Sequence, residues 1–410
     1  MDEGFLIAGH IDALIQQLKW AEAMLLNADI ESRIKGAATS GFAVLFERRR
    51  VELTKMRVDV VQEGASVNAW KQLYSKGRLC SELFSEELGF LGSALVRGQQ
   101  AGVDDICEVA DAFLYELNRK LPRTIGWGGV TLLAEGNFYT ETTGLIRLPF
   151  PDYGIWNLPI SAHELGHFVG PRITDGIGGF PFQILLQERE REHLAKKLPA
   201  EESAKQLSRQ VSHLKELLSD LFGVYTLGPA YACSCILLRF NPADVAACKD
   251  SDTHPSHAKR VFFILEALGQ MSEPESGQPY GRIKARLESL WATILKTAGN
   301  GDCLEMNDQP LSHLLFELYT IINKHLSSGR WGGWKRANKL RHVFLSEAKA
   351  ANLLAPDHTI ADVLNAAWLW RLGLDEESPQ LVHKGHRRAV EMCREIMLRS
   401  EQDTREVSNH

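Results

Sequence analysis

The sequence predicts a mainly α-helical protein that contains one small β-sheet. Three observations predict it. Apolar residues recur at helical spacing through most of the chain, as in Leu14, Leu18, Ala21 and Leu25, or Ile106, Val109, Phe113 and Leu117. One stretch alone, residues 130–150, reads as extended, with short apolar runs broken by turn-forming residues. The composition, 44% hydrophobic and 24% charged, is that of a globular chain with faces to bury.

In order, residues from about 5 to 120 are helical throughout. The last helix of this run starts near Val103, after Gly102, with Asp104 and Asp105 in its first turn, and belongs to the next domain. Pro122 and then Gly126-Trp127-Gly128-Gly129 end the helical pattern. Residues 130–134, a turn at Glu135-Gly136-Asn137, and residues 138–143 and 145–150 predict a meander of short strands. Pro149, Pro151 and Pro159 lead into a short apolar helix, 161–170. A loop with Gly176, Gly178 and Gly179 and a charged segment, 187–197, follow. Pro199 then opens a helix from Glu201 to about Leu227, stopped by Gly228-Pro229.

Residues 253–260 cap a helix that runs to about Leu268, and 271–280 reads as a boundary loop. Helices are expected at 283–297, 311–326, 359–372 and 387–399, with 400–410 a frayed polar tail. A chain of 410 residues is too long for one ordinary core. It divides into a helical region 1–102, a mixed domain 103–270 and a helical region 271–410.

The net charge of −6 argues against an extended nucleic-acid footprint, which needs a basic face. The run Glu47-Arg48-Arg49-Arg50 reads as a solvated helix face. No stretch of 18 apolar residues suggests a membrane span, and the acidic start, Met1-Asp2-Glu3-Gly4, shows no signal peptide. The seven cysteines are odd in number and scattered, so no disulfide framework is expected, and Cys233 and Cys235 read as buried thiols. These features together point to the cytoplasm.

The chemistry centres on His163-Glu164-Leu165-Gly166-His167. On a helix, residues four apart lie about 40° apart in azimuth and about 6 Å apart in rise, so both imidazoles reach one ion. Glu164 stands beside that ion, placed to take a proton from a water bound to it. The flanking Ile160, Ala162, Leu165, Phe168 and Val169 put this helix in a core, where an unpaired His or Glu is costly.

A catalytic zinc needs a third protein ligand and one open position. A ligand three residues after Gly170 fails, because that position holds Ile173, and Asp175 comes two residues late. Glu216-x-x-x-Asp220 is the better source, since its two carboxylates share a helix face. Glu216 binds zinc, while Asp220 accepts the free N–H of a ligand histidine and fixes its tautomer. Glu188, Glu190 and Glu192 compete from an all-polar run.

With His163, Glu164 and His167, the Glu216/Asp220 pair resembles the gluzincin peptidases over roughly residues 126–268. The resemblance implies a zinc-dependent peptidase with an α+β zincin-like core flanked by helical regions. The order of residues 145–150, a short loop and the motif helix is also similar to the small cytoplasmic zincins of the ImmA/IrrE kind. That likeness implies that 145–150 is an edge strand on which the substrate pairs.

A donor toward the developing oxyanion is expected downstream of Glu216. Among His254, His257, Arg260, Tyr225 and Tyr231, His254 is the first choice. The substrate is then a protein or peptide, and the helical mass beyond the core suggests a narrow range or control by a regulatory partner. The competing reading is a helical interaction protein with a structural or vestigial zinc site. A DNA-associated regulator is disfavoured by charge.

Overall fold

The computed structural model describes residues 3–64, 66–99, 106–122, 125, 127–134, 138–140, 145–149, 154–174, 188, 191–192, 199–272, 280–304, 309–374 and 378–408. They form two compact units, Met1–Cys107 with Gly128–Phe150, and Glu108–Trp127 with Pro151–His410. The expected boundary after residue 102 falls near the first of these divisions, the strands belong to the first unit, and residues 271–410 belong to the second.

In the first unit three long helices, α1 (Glu3–Asn27), α2 (Ser32–Glu63) and α3 (Val67–Gln99), close on an apolar core. Ile11, Leu18, Phe42, Phe46, Leu53 and Phe90 are buried there, and Phe42 touches both Phe46 and Phe90. The basic run on α2 is only in part a solvated face: Arg48 is exposed and pairs with Glu52 at 3.3 Å, whereas the half-buried Arg50 reaches Glu22 of α1 at 2.5 Å. One residue violates the pattern. Glu87 on α3 is fully buried, and neither of its oxygens has a hydrogen-bond partner. Desolvation pushes its carboxyl up to about 7.

The same unit holds β1 (Thr131–Ala134), β2 (Phe138–Thr140) and β3 (Leu145–Pro149). Their order is β1-β3-β2, with β3 parallel to β1 and antiparallel to β2. Two expectations are therefore corrected. The strands are not a meander, and 145–150 is not an edge, because β3 is paired on both sides. The reason is burial: Leu145, Ile146 and Leu148 are all buried, and the centre of a sheet satisfies every backbone group of such a strand. A substrate strand cannot add to β3.

The second unit is helical. After α4 (Ile106–Arg119), which belongs to this unit from Glu108 on, come α5 (Ser161–Val169), α6 (Ala200–Leu227) and α7 (Pro229–Ser234). Then follow α8 (His257–Met271), α9 (Tyr280–Thr297), α10 (Gln309–His325), α11 (Trp334–His342), α12 (Ala350–Leu353), α13 (Ile360–Arg371) and α14 (Pro379–Ser408). α11 escapes sequence pattern because it buries only Ala337 and Leu340, too narrow a stripe to read. The expected frayed tail is also corrected, since α14 stays helical to Ser408. Arg399 holds it by donating to the carbonyls of Leu354 and Ala351, at 3.2 and 2.9 Å.

Between α6 and α7 the chain reverses at Gly228, whose φ of +62° suits glycine and whose absent Cβ leaves room for Trp331. Asn365 on α13 closes the reversal from both sides. Its Oδ1 accepts from Ala230 N at 2.9 Å and its Nδ2 donates to Leu227 O at 2.8 Å. A capping box between Thr359 and Asp362 starts α13. The expectation of unpaired cysteines is corrected at one place: Cys248 and Cys303 form a disulfide with Cα atoms 5.6 Å apart. Cys80, Cys233, Cys235 and Cys393 are free and buried, and Cys107 is buried as well. Among the described residues no helix is long and apolar enough to cross a membrane.

Candidate metal centre

α5 follows a 3-10 turn, Leu158–Ile160, and every residue of it except His167 is buried. Its partner is the C-terminal half of α6, where 216–227 are all buried while the first half is amphipathic and wetter. Gly166 lets the two helices touch. A Cβ there would stand 2.8 Å from the Ser219 Cα, so only glycine permits this approach. The contact sets Glu216, one turn earlier on α6, opposite the two histidines.

The side chains converge. His163 Nε2 lies 3.1 Å from His167 Nε2 and 3.3 Å from Glu216 Oε2, and His167 Nε2 lies 3.3 Å from Glu216 Oε1. Ligand bonds of about 2.0–2.2 Å in a tetrahedral site put ligand atoms about 3.3–3.6 Å apart. The measured spacings are close to that. Glu216 Oε2 is buried and makes no hydrogen bond of good geometry, which leaves a lone pair for an ion. The trio can hold a metal ion.

Around it is a charged scaffold. Asp220, fully buried, sits with Oδ1 2.9 Å from His163 Nδ1. Arg260 grips Asp220 through two bonds of 2.8 Å and reaches Glu216 Oε2 at 3.1 Å. Tyr231 donates to Asp220 Oδ1 at 2.6 Å and lies 3.2 Å from His163 Nδ1. Its ring lies where a Cβ on Gly223 would stand, and so needs that glycine.

Burial opposes the charges on both carboxylates, yet both are held well below the usual range. For Glu216 the neighbouring imidazoles of His163 and His167 and the charge of Arg260 overcome desolvation, and for Asp220 the charge of Arg260 does. Arg260 is buried too, and Asp220 holds it firmly protonated. His163 is pushed down by burial and by Arg239, but Asp220 and Glu216 outweigh them and raise it.

Glu164, almost fully buried, meets Arg239 Nη2 at 3.4 Å. His254 is brought in as well: its Nε2 lies 3.4 Å from Glu216 Oε1 and its Nδ1 2.8 Å from Thr253 Oγ1, with the side chain 54% exposed. Other candidates lie apart from the trio. His257 stacks on Phe240, Tyr225 hydrogen-bonds Asn323 at 2.9 Å, and Ile173 is simply buried. Glu188 and Glu192 are exposed. Glu190, Asp175, the loop with Gly176, Gly178 and Gly179, and most of 187–197 lie outside the described residues.

Arg260 and Tyr231, weighed behind His254 as donors to the oxyanion, brace Asp220. Arg239 escaped notice altogether. A sign was present: it is the one charge between Gly228 and Phe240, in an otherwise apolar run. No protein-family model, curated protein or solved structure matches the chain.

Proposed function

We propose that the protein is a zinc-dependent metallopeptidase. The convergence of His163, His167 and Glu216, with Glu164 on the same buried helix, carries this reading. Two imidazoles with one carboxylate is a ligand set that suits zinc and leaves its fourth position open. Zinc bound there supplies a Lewis acid and makes water a nucleophile near neutral pH.

The chain's own residues do the rest. Asp220 accepts the Nδ1–H of His163 and so keeps Nε2 free as a ligand. Arg260, by donating two hydrogen bonds to Asp220, keeps that carboxylate charged and in place. Glu164 takes the proton of the attacking water and passes it to the leaving amine. His254, beside Glu216, is the proposed donor to the carbonyl oxygen.

The substrate on this reading is a protein or peptide, taken by a route other than pairing with β3. A narrow range, or control by a partner protein, fits the amount of helical chain beyond the site, and casein should be a poor substrate. A cytoplasmic setting belongs to the same proposal: the free, buried thiols of Cys80, Cys233, Cys235 and Cys393 fit it, and the Cys248–Cys303 disulfide counts against it. Nucleic acid is not part of it.

The test has two arms. The purified protein should carry close to one zinc per chain, and His163→Ala or His167→Ala should lose it. Cells expressing wild type should show new protein N-termini that are missing with Glu164→Gln, a variant that keeps its zinc. Full zinc in both histidine variants removes the metal reading. Identical N-termini in the two cultures favour an interaction protein with a structural ion.

A further inference from the structure

The motif helix has a cation beside it that the zinc reading leaves unused. Arg239 ends a five-residue π-helical turn, Cys235–Arg239, the described π turn that runs on from α7. Such turns are rare and gather at functional sites, because they re-aim a side chain at a cost to the backbone. This one brings Arg239 to Glu164, with Nη2 3.4 Å from Oε1.

The pairing is incomplete. In the same site Arg260 shows what a structural arginine does, taking Asp220 with two bonds of 2.8 Å. Arg239 makes one long contact with Glu164, and its Nη1 is buried with no hydrogen-bond partner. Buried donors are normally satisfied, so an idle one beside the residue that handles protons points to an acceptor that arrives with the substrate.

Resting on the peptidase reading, we propose that Arg239 is a second catalytic cation, which donates to the carbonyl oxygen of the scissile amide alongside His254. As the water's O–H proton moves to the Glu164 carboxylate, the water's oxygen forms the new C–O bond and the C=O π pair moves onto the carbonyl oxygen. Glu164 thereby loses its negative charge in the same step that the oxygen gains one. Arg239 keeps a negative partner throughout, first the carboxylate and then the oxygen. When the pair re-forms the C=O bond, the C–N bond breaks and the proton on Glu164 goes to the amine. Removing such a donor typically lowers rate about 10²–10³-fold.

Inorganic phosphate serves as the probe, since it carries anionic oxygens in a tetrahedral array like the species formed on attack. It is titrated calorimetrically into zinc-loaded full-length protein, with zinc content measured in the same samples. Arg239→Gln with full zinc should bind phosphate at least about tenfold more weakly than wild type, the size expected for losing a charged hydrogen bond. Affinity within twofold of wild type at equal zinc overturns the assignment of Arg239 and leaves the zinc reading standing. Protein that takes up no zinc removes both. Should Arg239→Gln lose its zinc, Arg239→Lys decides instead. A point charge without the guanidinium fork should bind several-fold more weakly, and parity with wild type overturns the proposal.

Discussion

Gly166 and Ser219 mark the closest approach of α5 and α6, and a Cβ at 166 would stand 2.8 Å from the Ser219 Cα and 3.2 Å from its carbonyl oxygen. Both obstacles are backbone, so no change of side-chain rotamer relieves them. Gly166→Ala should therefore push the helices apart and draw Glu216 away from His163 and His167. Overpacking of this kind costs about 1–3 kcal/mol. We expect a lower melting temperature and zinc affinity reduced by at least about tenfold, which corresponds to about 1.4 kcal/mol. Wild-type affinity in a competition titration would show that the contact does not set the site.

Asp220 touches both His163 and the buried Arg260, and the two contacts separate by mutation. Asp220→Ala should weaken zinc about 10–100-fold, as for loss of a group that orients a ligand histidine. It also leaves Arg260 buried without its carboxylate, which costs about 3–5 kcal/mol. Adding Arg260→Met to Asp220→Leu should restore stability and leave zinc affinity low. Denaturation and zinc titration on the single and double variants check both halves.

Glu87 predicts a pH effect. Its carboxyl rises from 4.5 to about 7 on folding, so the folded chain holds that proton more tightly than the unfolded one. The contribution to stability is full below pH 4.5 and is lost as pH rises through about 7. Glu87→Gln should thus match wild type near pH 4 and exceed it at pH 8, by about the 1–3 kcal/mol that an unsatisfied buried group costs. Urea unfolding at the two pH values reads the difference, and an equal gain at both would refute the assignment.

The Cys248–Cys303 disulfide spans 55 residues and anchors the loop that carries His254. Opening it should lower stability by about 2–4 kcal/mol. Thermal melts with and without a dithiol should differ for wild type and coincide for Cys248→Ser. Coincidence in wild type would mean the bond contributes nothing.

The helices and the metal-binding trio were legible because their information is local. Spacing of three and four residues marks a helix face, and α6 and α8 start and stop close to where Pro199, Gly228 and Ser256 place them. Glu216 was found because a third ligand had to share a face with a carboxylate four residues on. What escaped was set by partners distant in sequence. The central place of β3 depends on which strand is most buried, and the brace formed by Arg260 and Tyr231 depends on how α6, α7 and α8 pack. The disulfide escaped because an odd cysteine count says nothing about one particular pair.

The chain reversal at Gly228 bears on when the site comes into being. Tyr231, which braces Asp220 and His163, is placed by a turn whose N–H and C=O groups are satisfied by Asn365, a partner 135 residues further along. A ribosome emits Asn365 long after His163, His167 and Glu216 have left the tunnel. The nascent chain therefore carries the trio that can hold a metal ion well before it owns the turn that places Tyr231. On the proposed reading a chain cut short before α13 is released with its three ligand side chains but without the brace on Asp220 and His163.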